Sequence, residues 1–180
     1  MAIENIIKNI RNIMRKDPGV AGDAQRIEQL VWMIFLKIFD DQEKFYELRD
    51  DSYRSPLPEE IRWRNWAANP EGITGDELLQ FVNQKLFPQL KEVSNGGSKQ
   101  AGIIRAVFED ANNYMKSGVN IRQVVNEINK IDFNKQEDRH LLNDIYEQIL
   151  KELQSAGDYG EFYTPRPLTK FIVEVTDPQL

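Results

Sequence analysis

The most apolar stretch of the chain, residues 26 to 40, reads RIEQLVWMIFLKIFD. Its apolar residues recur every three or four positions, which predicts an α-helix with one core-facing stripe. The stripe consists of Ile27, Leu30, Val31, Ile34, Phe35, Ile38 and Phe39. It is widened by Trp32, Met33 and Leu36 until the middle of the helix is apolar nearly all round. Neighbours normally bury such a helix on several sides, so we expect it to be the centre of a helical bundle.

The rest of the N-terminal region predicts further helices around this one. Apolar spacing between Ile3 and Met14 predicts a first amphipathic helix, which Asp17-Pro18-Gly19 ends. We expect Asp23 to cap the central helix, which would run from about residue 24 to residue 48. Similar spacing predicts helices near residues 59–66, 74–88, 103–111, 121–128 and 136–154. The predicted fold class is therefore mainly α, with a helical bundle as the N-terminal domain.

Residues 61 to 66 read IRWRNW and allow two interpretations. Arginines interleaved with aromatic residues can stack on nucleic-acid bases. Alternatively, a short helix uses its tryptophans to close the core while its arginines face water. We favour the second interpretation. A Trp63 at the rim of that core would matter less for stability than Phe35 in the central helix.

Composition narrows the classes of function. The chain has 180 residues and a formal net charge of −6, which argues against an autonomous DNA-binding domain. This net charge is still compatible with a local basic patch, or with a complex in which another subunit carries the positive charge. The absence of cysteine rules out disulfides and thiolate metal sites and suits the cytoplasm. The apolar run from Leu30 to Phe39 is too short to span a bilayer, so we expect no membrane insertion.

A second stretch, residues 156 to 168, carries the functional signal and reads AGDYGEFYTPRPL. Gly157 and Gly160 let the backbone adopt positive φ angles and let a ligand approach closely. Thr164 suits the N-cap of a helix and Pro165 its first position. The start of such a helix offers free N–H groups to a polar or anionic ligand. The same pattern also fits an ordinary loop-to-helix joint whose aromatic residues fill the core.

The segment GEFYTPRP, residues 160 to 167, resembles the G-x-[FY]-[FY]-T-P-R segment of type I restriction–modification methylation subunits. The preceding helical region, above all residues 26–40, resembles the N-terminal domain of the same family. In that family the segment precedes a Rossmann-like catalytic domain and lines the S-adenosylmethionine pocket. The cofactor-binding residues that the resemblance implies here are Glu161, Phe162, Tyr163, Thr164, Pro165 and Arg166. It also implies a helical N-terminal domain over residues 1–155, followed over residues 156–180 by the motif and a truncated start of the methyltransferase domain.

The resemblance further implies an activity and partners for the whole subunit. Such a subunit transfers a methyl group from S-adenosylmethionine to adenine N6 of double-stranded DNA. It works with a specificity subunit, a second methylation subunit and, in the full complex, a restriction subunit. Flipping the target base costs a few kcal/mol, so a clamp around the duplex is useful, and the N-terminal domain is expected to help form it.

We expect no catalytic or metal site within these 180 residues. Amino-group DNA methyltransferases hold the flipped base with an Asn-Pro-Pro-aromatic or Asp-Pro-Pro-Tyr tetrapeptide, which this sequence does not contain. His140 is the only histidine, and without cysteines it supports no zinc site. The chain is therefore predicted to be a catalytically incomplete fragment of a cytoplasmic methyltransferase subunit. The alternative is a helical protein-interaction module unrelated to methylation, in which Phe162 and Tyr163 are plain core residues.

Overall fold

The computed structural model describes residues 3–93 and 98–133. Within these two ranges the secondary structure is helical and contains no β-strand, so the predicted mainly α fold is confirmed. The α-helices are α1 (Ile3–Arg15), α2 (Asp23–Arg49), α3 (Trp63–Trp66), α4 (Gly75–Gln80), α5 (Phe87–Lys91), α6 (Lys99–Phe108) and α7 (Gly118–Ile128). A 3-10 turn at Glu59–Ile61 precedes α3, and a π-helical turn at Phe81–Leu86 joins α4 to α5.

Several predictions from the sequence concern residues outside these ranges. They are the helix at residues 136–154, the boundary near residue 155, the motif at residues 156–168 and the surroundings of His140. The structural observations below neither support nor contradict them.

The first two helices largely follow the sequence pattern. α1 buries its apolar side and ends at Arg15, just before the predicted break at Asp17-Pro18-Gly19. α2 begins one residue earlier than expected, because Gly22 and not Asp23 occupies the N-cap position. Gly22 has a φ angle of 112°, which glycine adopts without the steric cost that a Cβ atom would bring.

The buried side of α2 is rotated relative to the predicted stripe. Trp32, Met33 and Leu36 are its most buried apolar residues, whereas Val31 is 52% exposed and Phe35 is only half-buried. The buried side continues beyond the apolar run through Asp40 and Glu43. Leu30 and Ile34 of the predicted stripe are buried as expected. Apolar spacing alone cannot detect polar residues on a buried face, so the predicted stripe is displaced to one side of the observed one.

Among the helices that the structure describes, α7 is the most enclosed, whereas the sequence pattern predicts α2 as the centre of the bundle. α7 packs against α1, α4 and α2, and Ile121, Val124, Val125 and Ile128 are fully buried. Close packing depends on Gly118, because a Cβ atom there would lie 1.7 Å from the Gly75 carbonyl oxygen. A short helix of small and β-branched residues can therefore be more central than a longer and more apolar one.

The helical path from Gly75 to Lys91 accommodates a proline without ending. Proline commonly ends or kinks a helix, because it lacks an N–H group and its ring clashes with the carbonyl four residues earlier. Here the turn at Phe81–Leu86 widens to π-helical geometry just before Pro88. Thr74 occupies the N-cap position of α4, but its side chain forms no capping hydrogen bond.

Both tryptophans of the IRWRNW segment belong to the core. Trp63 is 2% exposed, Trp66 is also buried, and their rings meet edge to face at 5.2 Å between centroids. The indole N–H of Trp63 donates to the Asn129 side-chain oxygen at 2.8 Å. The core interpretation is confirmed, and these rings are not free to stack on bases. Trp63 does not lie at the rim.

We therefore expect Trp63→Ala to destabilise the domain at least as much as Phe35→Ala. Truncating a buried tryptophan to alanine typically costs about 3 to 5 kcal/mol, and Phe35 is less deeply buried than Trp63. Denaturant melts of both variants measure the two losses. Leu48→Ala is the control, because Leu48 is 86% exposed and its truncation should change stability by no more than about 0.5 kcal/mol. A clearly larger loss for Phe35→Ala would contradict this arrangement of the core.

Candidate functional site

The predicted cofactor-binding residues, Glu161 to Arg166, lie outside the described residues, so their role stays a prediction. In the part of the chain that the structure describes, no group of three or more histidine or acidic residues could hold a metal ion. No helix in that part is long and apolar enough to cross a membrane. This part contains several buried polar contacts. It also has an exposed aromatic surface at the end of α2 and a basic surface on α1.

The first buried contact is made by Arg122 on α7. Its guanidinium donates to the carbonyl oxygens of Trp66 (2.8 Å), Ile73 (2.7 and 2.9 Å), Ala67 and Asn69 (both 3.2 Å). Burial lowers the pKa of Arg122. Its hydrogen bonds go to main-chain oxygens within the domain, so this cation has a structural role and is not available to a phosphate.

The second buried contact is made by Asp17, which joins the end of α1 to the start of α7. Its Oδ1 accepts from the main-chain N–H groups of Gly19 (3.0 Å) and Lys116 (2.8 Å). Its Oδ2 accepts from the Ser117 N–H (3.1 Å) and the Asn120 side-chain amide (3.2 Å). A carboxylate at a helix N-terminus is also favoured by the helix dipole, so both oxygens are used for structure.

A charged network lies between α2 and α3. Arg64 donates through Nε to Asp40 Oδ1 and through Nη1 to Glu47 Oε2, each at 2.6 Å. Lys44 Nζ lies 2.9 Å from Asp40 Oδ2, and Lys37 pairs with Asp41. The arginines of the IRWRNW segment were expected to face water, but Arg64 is held against α2 by these carboxylates.

Glu43 anchors the loop that follows α2. Its side chain is 1% exposed, and its Oε1 accepts from the Tyr53 hydroxyl at 3.0 Å. Burial raises the pKa of Glu43, and this outweighs the lowering by the hydroxyls of Ser55 and Tyr53 and by the charges of Arg62 and Arg64. Part of the domain's stability therefore depends on the protonation of one buried carboxyl group.

These buried polar residues were not anticipated from the sequence, although one signal was available. Asp40 and Glu43 continue the spacing of Met33 and Leu36, the most buried apolar positions of α2. Extending that spacing past the apolar run would have placed both acids on the buried face. No comparable signal points to Arg122, because its partners are carbonyls far away in the sequence.

An exposed aromatic surface lies at the end of α2, and we call Phe45, Tyr46 and Leu48 the α2-end surface. Their exposed fractions are 47%, 40% and 86%. Tyr46 contacts Tyr53 at 5.5 Å between ring centroids, and the Arg49 guanidinium lies 4.7 Å from the centre of the Phe45 ring. Clustered apolar side chains with a polar border are typical of a protein-interaction site.

Comparison with known protein families identifies the family of this helical domain. Residues 3–128 match the family described as the HsdM N-terminal domain. Residues 137–180 match the family described as N-6 DNA methylase. The first match covers more than half of the chain, which therefore belongs to the HsdM N-terminal domain family.

Individual relatives support the same family. The chain is 55% identical, over its whole length, to the methylase subunit of the type I restriction enzyme EcoEI from Escherichia coli, and spans 37% of that protein. It is 41% identical to a crystal structure of a modification subunit of a putative type I restriction enzyme from Vibrio vulnificus. That comparison has a TM-score of 0.83 and covers 99% of this chain and 40% of the other. A second solved structure, of a type I restriction–modification system, has 35% identity and a TM-score of 0.82 and covers 98% of this chain and 36% of the other.

The raised pKa of Glu43 predicts how stability changes with pH. The folded state holds this proton more tightly than the unfolded state, so the stabilisation is complete below the unfolded pKa of about 4.3. It is lost as the pH rises through the folded pKa. Glu43→Gln removes the titration and keeps an oxygen for Tyr53. We therefore expect the difference in unfolding free energy, wild type minus variant, to fall between pH 4 and pH 7 in denaturant melts.

A second variant checks the cause. Tyr53→Phe removes a hydroxyl that lowers the pKa of Glu43, so it should enlarge the loss of stability between pH 4 and pH 7. A difference between wild type and Glu43→Gln that does not change with pH would show that burial of this carboxyl group has no effect on its titration.

Proposed function

We propose that this chain is the N-terminal part of an adenine-specific (N6) DNA methyltransferase subunit of a type I restriction–modification system. One observation carries the proposal. The GEFYTPRP segment falls within residues 137–180, which match the N-6 DNA methylase family, and that region directly follows the match to the HsdM N-terminal domain. The order of the two matches is the order in which such a subunit presents its helical domain and then its catalytic domain.

In this proposal the helical domain covers residues 1–155, and residues 156–180 contain the first cofactor-contacting segment. The proposed ligand is S-adenosylmethionine, and the residues proposed to contact it are Glu161, Phe162, Tyr163, Thr164, Pro165 and Arg166. The sequence contains no Asn-Pro-Pro-aromatic tetrapeptide, so we propose that these 180 residues do not hold a target base by themselves.

The helical domain is proposed to act in assembly and in clamping double-stranded DNA. Its buried contacts at Arg122 and Asp17 tie α7 to two other parts of the bundle, which supports a rigid domain. The α2-end surface fits a contact with the specificity subunit, because its exposed aromatic residues suit a protein interface. Further proposed partners are a second methylation subunit and the restriction subunit, all within the cytoplasm.

The alternative, a helical protein-interaction module unrelated to methylation, is less well supported. It accounts for the α2-end surface and for the lack of a catalytic group among the described residues. It does not account for the match of residues 137–180 to the N-6 DNA methylase family.

The proposal predicts that the chain alone transfers no methyl group. A partial pocket should bind its ligand weakly. Ligand binding stabilises a fold by RT ln(1 + [L]/Kd), so weak binding gives little stabilisation. We therefore expect no label on duplex DNA after incubation with radiolabelled S-adenosylmethionine. We also expect no appreciable thermal shift at millimolar concentrations of the cofactor. Incorporation above background, or a saturable shift, would contradict an incomplete site.

The partner contact is tested with the specificity subunit of the same system. We expect the two proteins to co-elute in size-exclusion chromatography and Leu48→Glu to weaken the complex at least about tenfold, because it places a charge in an apolar contact. Val119→Glu is the matched control, since Val119 is also exposed but lies on α7. Equal losses in both variants would show that the α2-end surface is not the contact.

A further inference from the structure

The outer side of α1 carries a concentration of positive charge that is unusual for this chain. Residues 8 to 16 contain four cations and no acidic residue, whereas the whole chain has a net charge of −6. Lys8, Asn12 and Arg15 are exposed and are separated by four and then three positions. They therefore lie along one line of the helix, on the side facing away from the buried residues Ile10 and Met14.

A further cation comes from a distant part of the chain. The main-chain N–H of Lys116 donates to Asp17 Oδ1 at 2.8 Å, which places Lys116 just beyond the end of α1. A Cβ atom on Gly19 would lie 2.6 Å from Lys116 Cγ, so the stem of this lysine packs directly over Gly19. We call Lys8, Arg15, Lys16 and Lys116 the α1 basic face.

The charges of the α1 basic face are not neutralised within the described part of the domain. None of its four cations forms an ion pair with another described residue. The opposite holds for four other cations, Lys44, Arg64, Lys85 and Lys130. The neighbouring carboxylate of Asp17 is buried, and both of its oxygens accept hydrogen bonds. The acidic residue in the sequence of α1 is Glu4, four positions before Lys8 and at the opposite end of the helix from the other three cations.

Helix stability alone does not explain this pattern. Arg15 and Lys16 lie at the C-terminal end of α1, where cations interact favourably with the helix dipole. Lys8 lies in the middle of the helix, beyond the reach of that effect, and Lys116 lies outside the helix. Exposed cations along α1 and just beyond its C-terminal end suit an extended anion better than they suit the helix itself.

We propose that the α1 basic face contacts the phosphate backbone of double-stranded DNA. This inference rests on the proposed function and assigns the DNA contact to a particular surface. Lys8 and Arg15 are separated by a rise of about 10 Å, over which duplex DNA presents several phosphate charges, one per about 1.7 Å of axis. Asn12 lies between them and adds a hydrogen-bond donor of the kind that commonly contacts phosphates.

Such a contact is independent of base sequence, because phosphates position a protein and base edges specify the site. The net charge of −6 repels DNA from the rest of the chain and favours approach through this face. The α1 basic face would therefore orient the domain on the duplex while sequence is read by another subunit.

The test compares two double variants with the same change in charge. Lys8→Gln with Lys116→Gln removes two cations of the α1 basic face, and Lys85→Gln with Lys130→Gln removes two that pair with glutamates. Fluorescence anisotropy with a labelled random-sequence duplex, at about 50 mM to 200 mM salt, gives the affinity and its salt dependence. For the first variant we expect a loss of affinity of at least about tenfold and a salt slope smaller by roughly 2, or about 0.9 per lost phosphate contact. The control should match wild type.

Each outcome decides the proposal. Equal losses of DNA affinity in both variants would show that net charge alone matters and would overturn the proposal. An absence of DNA binding by the wild-type chain at about 50 mM salt would also overturn it. Thermal melts of all three proteins identify any loss that comes from unfolding, and Lys8→Ala with Lys116→Ala then repeats the test with different side chains. If the chain binds the specificity subunit but not DNA, the α1 basic face is wrong while the proposed function stands.

Discussion

The described structure depends on how Arg122 is buried. Transferring a cation from water into a protein interior is costly unless hydrogen bonds replace its hydration. Arg122 meets this requirement with four main-chain carbonyl groups between residues 66 and 73. The same hydrogen bonds also satisfy the carbonyl groups, which would otherwise lack partners in the interior. Removing either the guanidinium or its carbonyl partners therefore costs more stability than the loss of one ordinary hydrogen bond.

α7 is held by polar contacts along its whole length. Asp17 meets its N-terminus, Arg122 projects from its second turn, and Asn129 follows its last residue. Asn129 accepts from the Trp63 indole and donates to the Ala67 carbonyl, both at 2.8 Å. These contacts have directional geometry, unlike apolar packing, so they define one position for the helix among the many that its small apolar residues would tolerate. This explains how a helix of 11 residues can organise a bundle that also contains a helix of 27 residues.

The contrast between α2 and α7 shows which features of the fold a sequence pattern can predict and which it cannot. Periodicity located α1, α2 and the core role of Trp63 and Trp66, because in each case apolar residues mark the buried side. It failed at Asp40 and Glu43, where the buried side is polar and depends on partners in another helix or loop. The composition of Ser117-Gly118 is typical of a helix break, yet Ser117 caps α7 by accepting from the Asn120 N–H. A cap and a break have the same local composition, and only the packing of Gly118 against Gly75 distinguishes them.

One part of the candidate site can be predicted from the sequence, and another part cannot. The GEFYTPRP segment allows a prediction from sequence alone, because a motif of contiguous residues can be recognised without tertiary information. The α1 basic face could not, because Lys116 is far from Lys16 in the sequence. Its N–H bond to Asp17 and its packing over Gly19 place it just beyond the end of α1. Asp17 therefore has two consequences. It fixes the start of α7, and by taking up its own charge in main-chain hydrogen bonds it leaves the cations beside it without an ion pair to its carboxylate. An acidic protein can in this way present a positive face, since what matters for a local contact is which charges are already paired and not their sum.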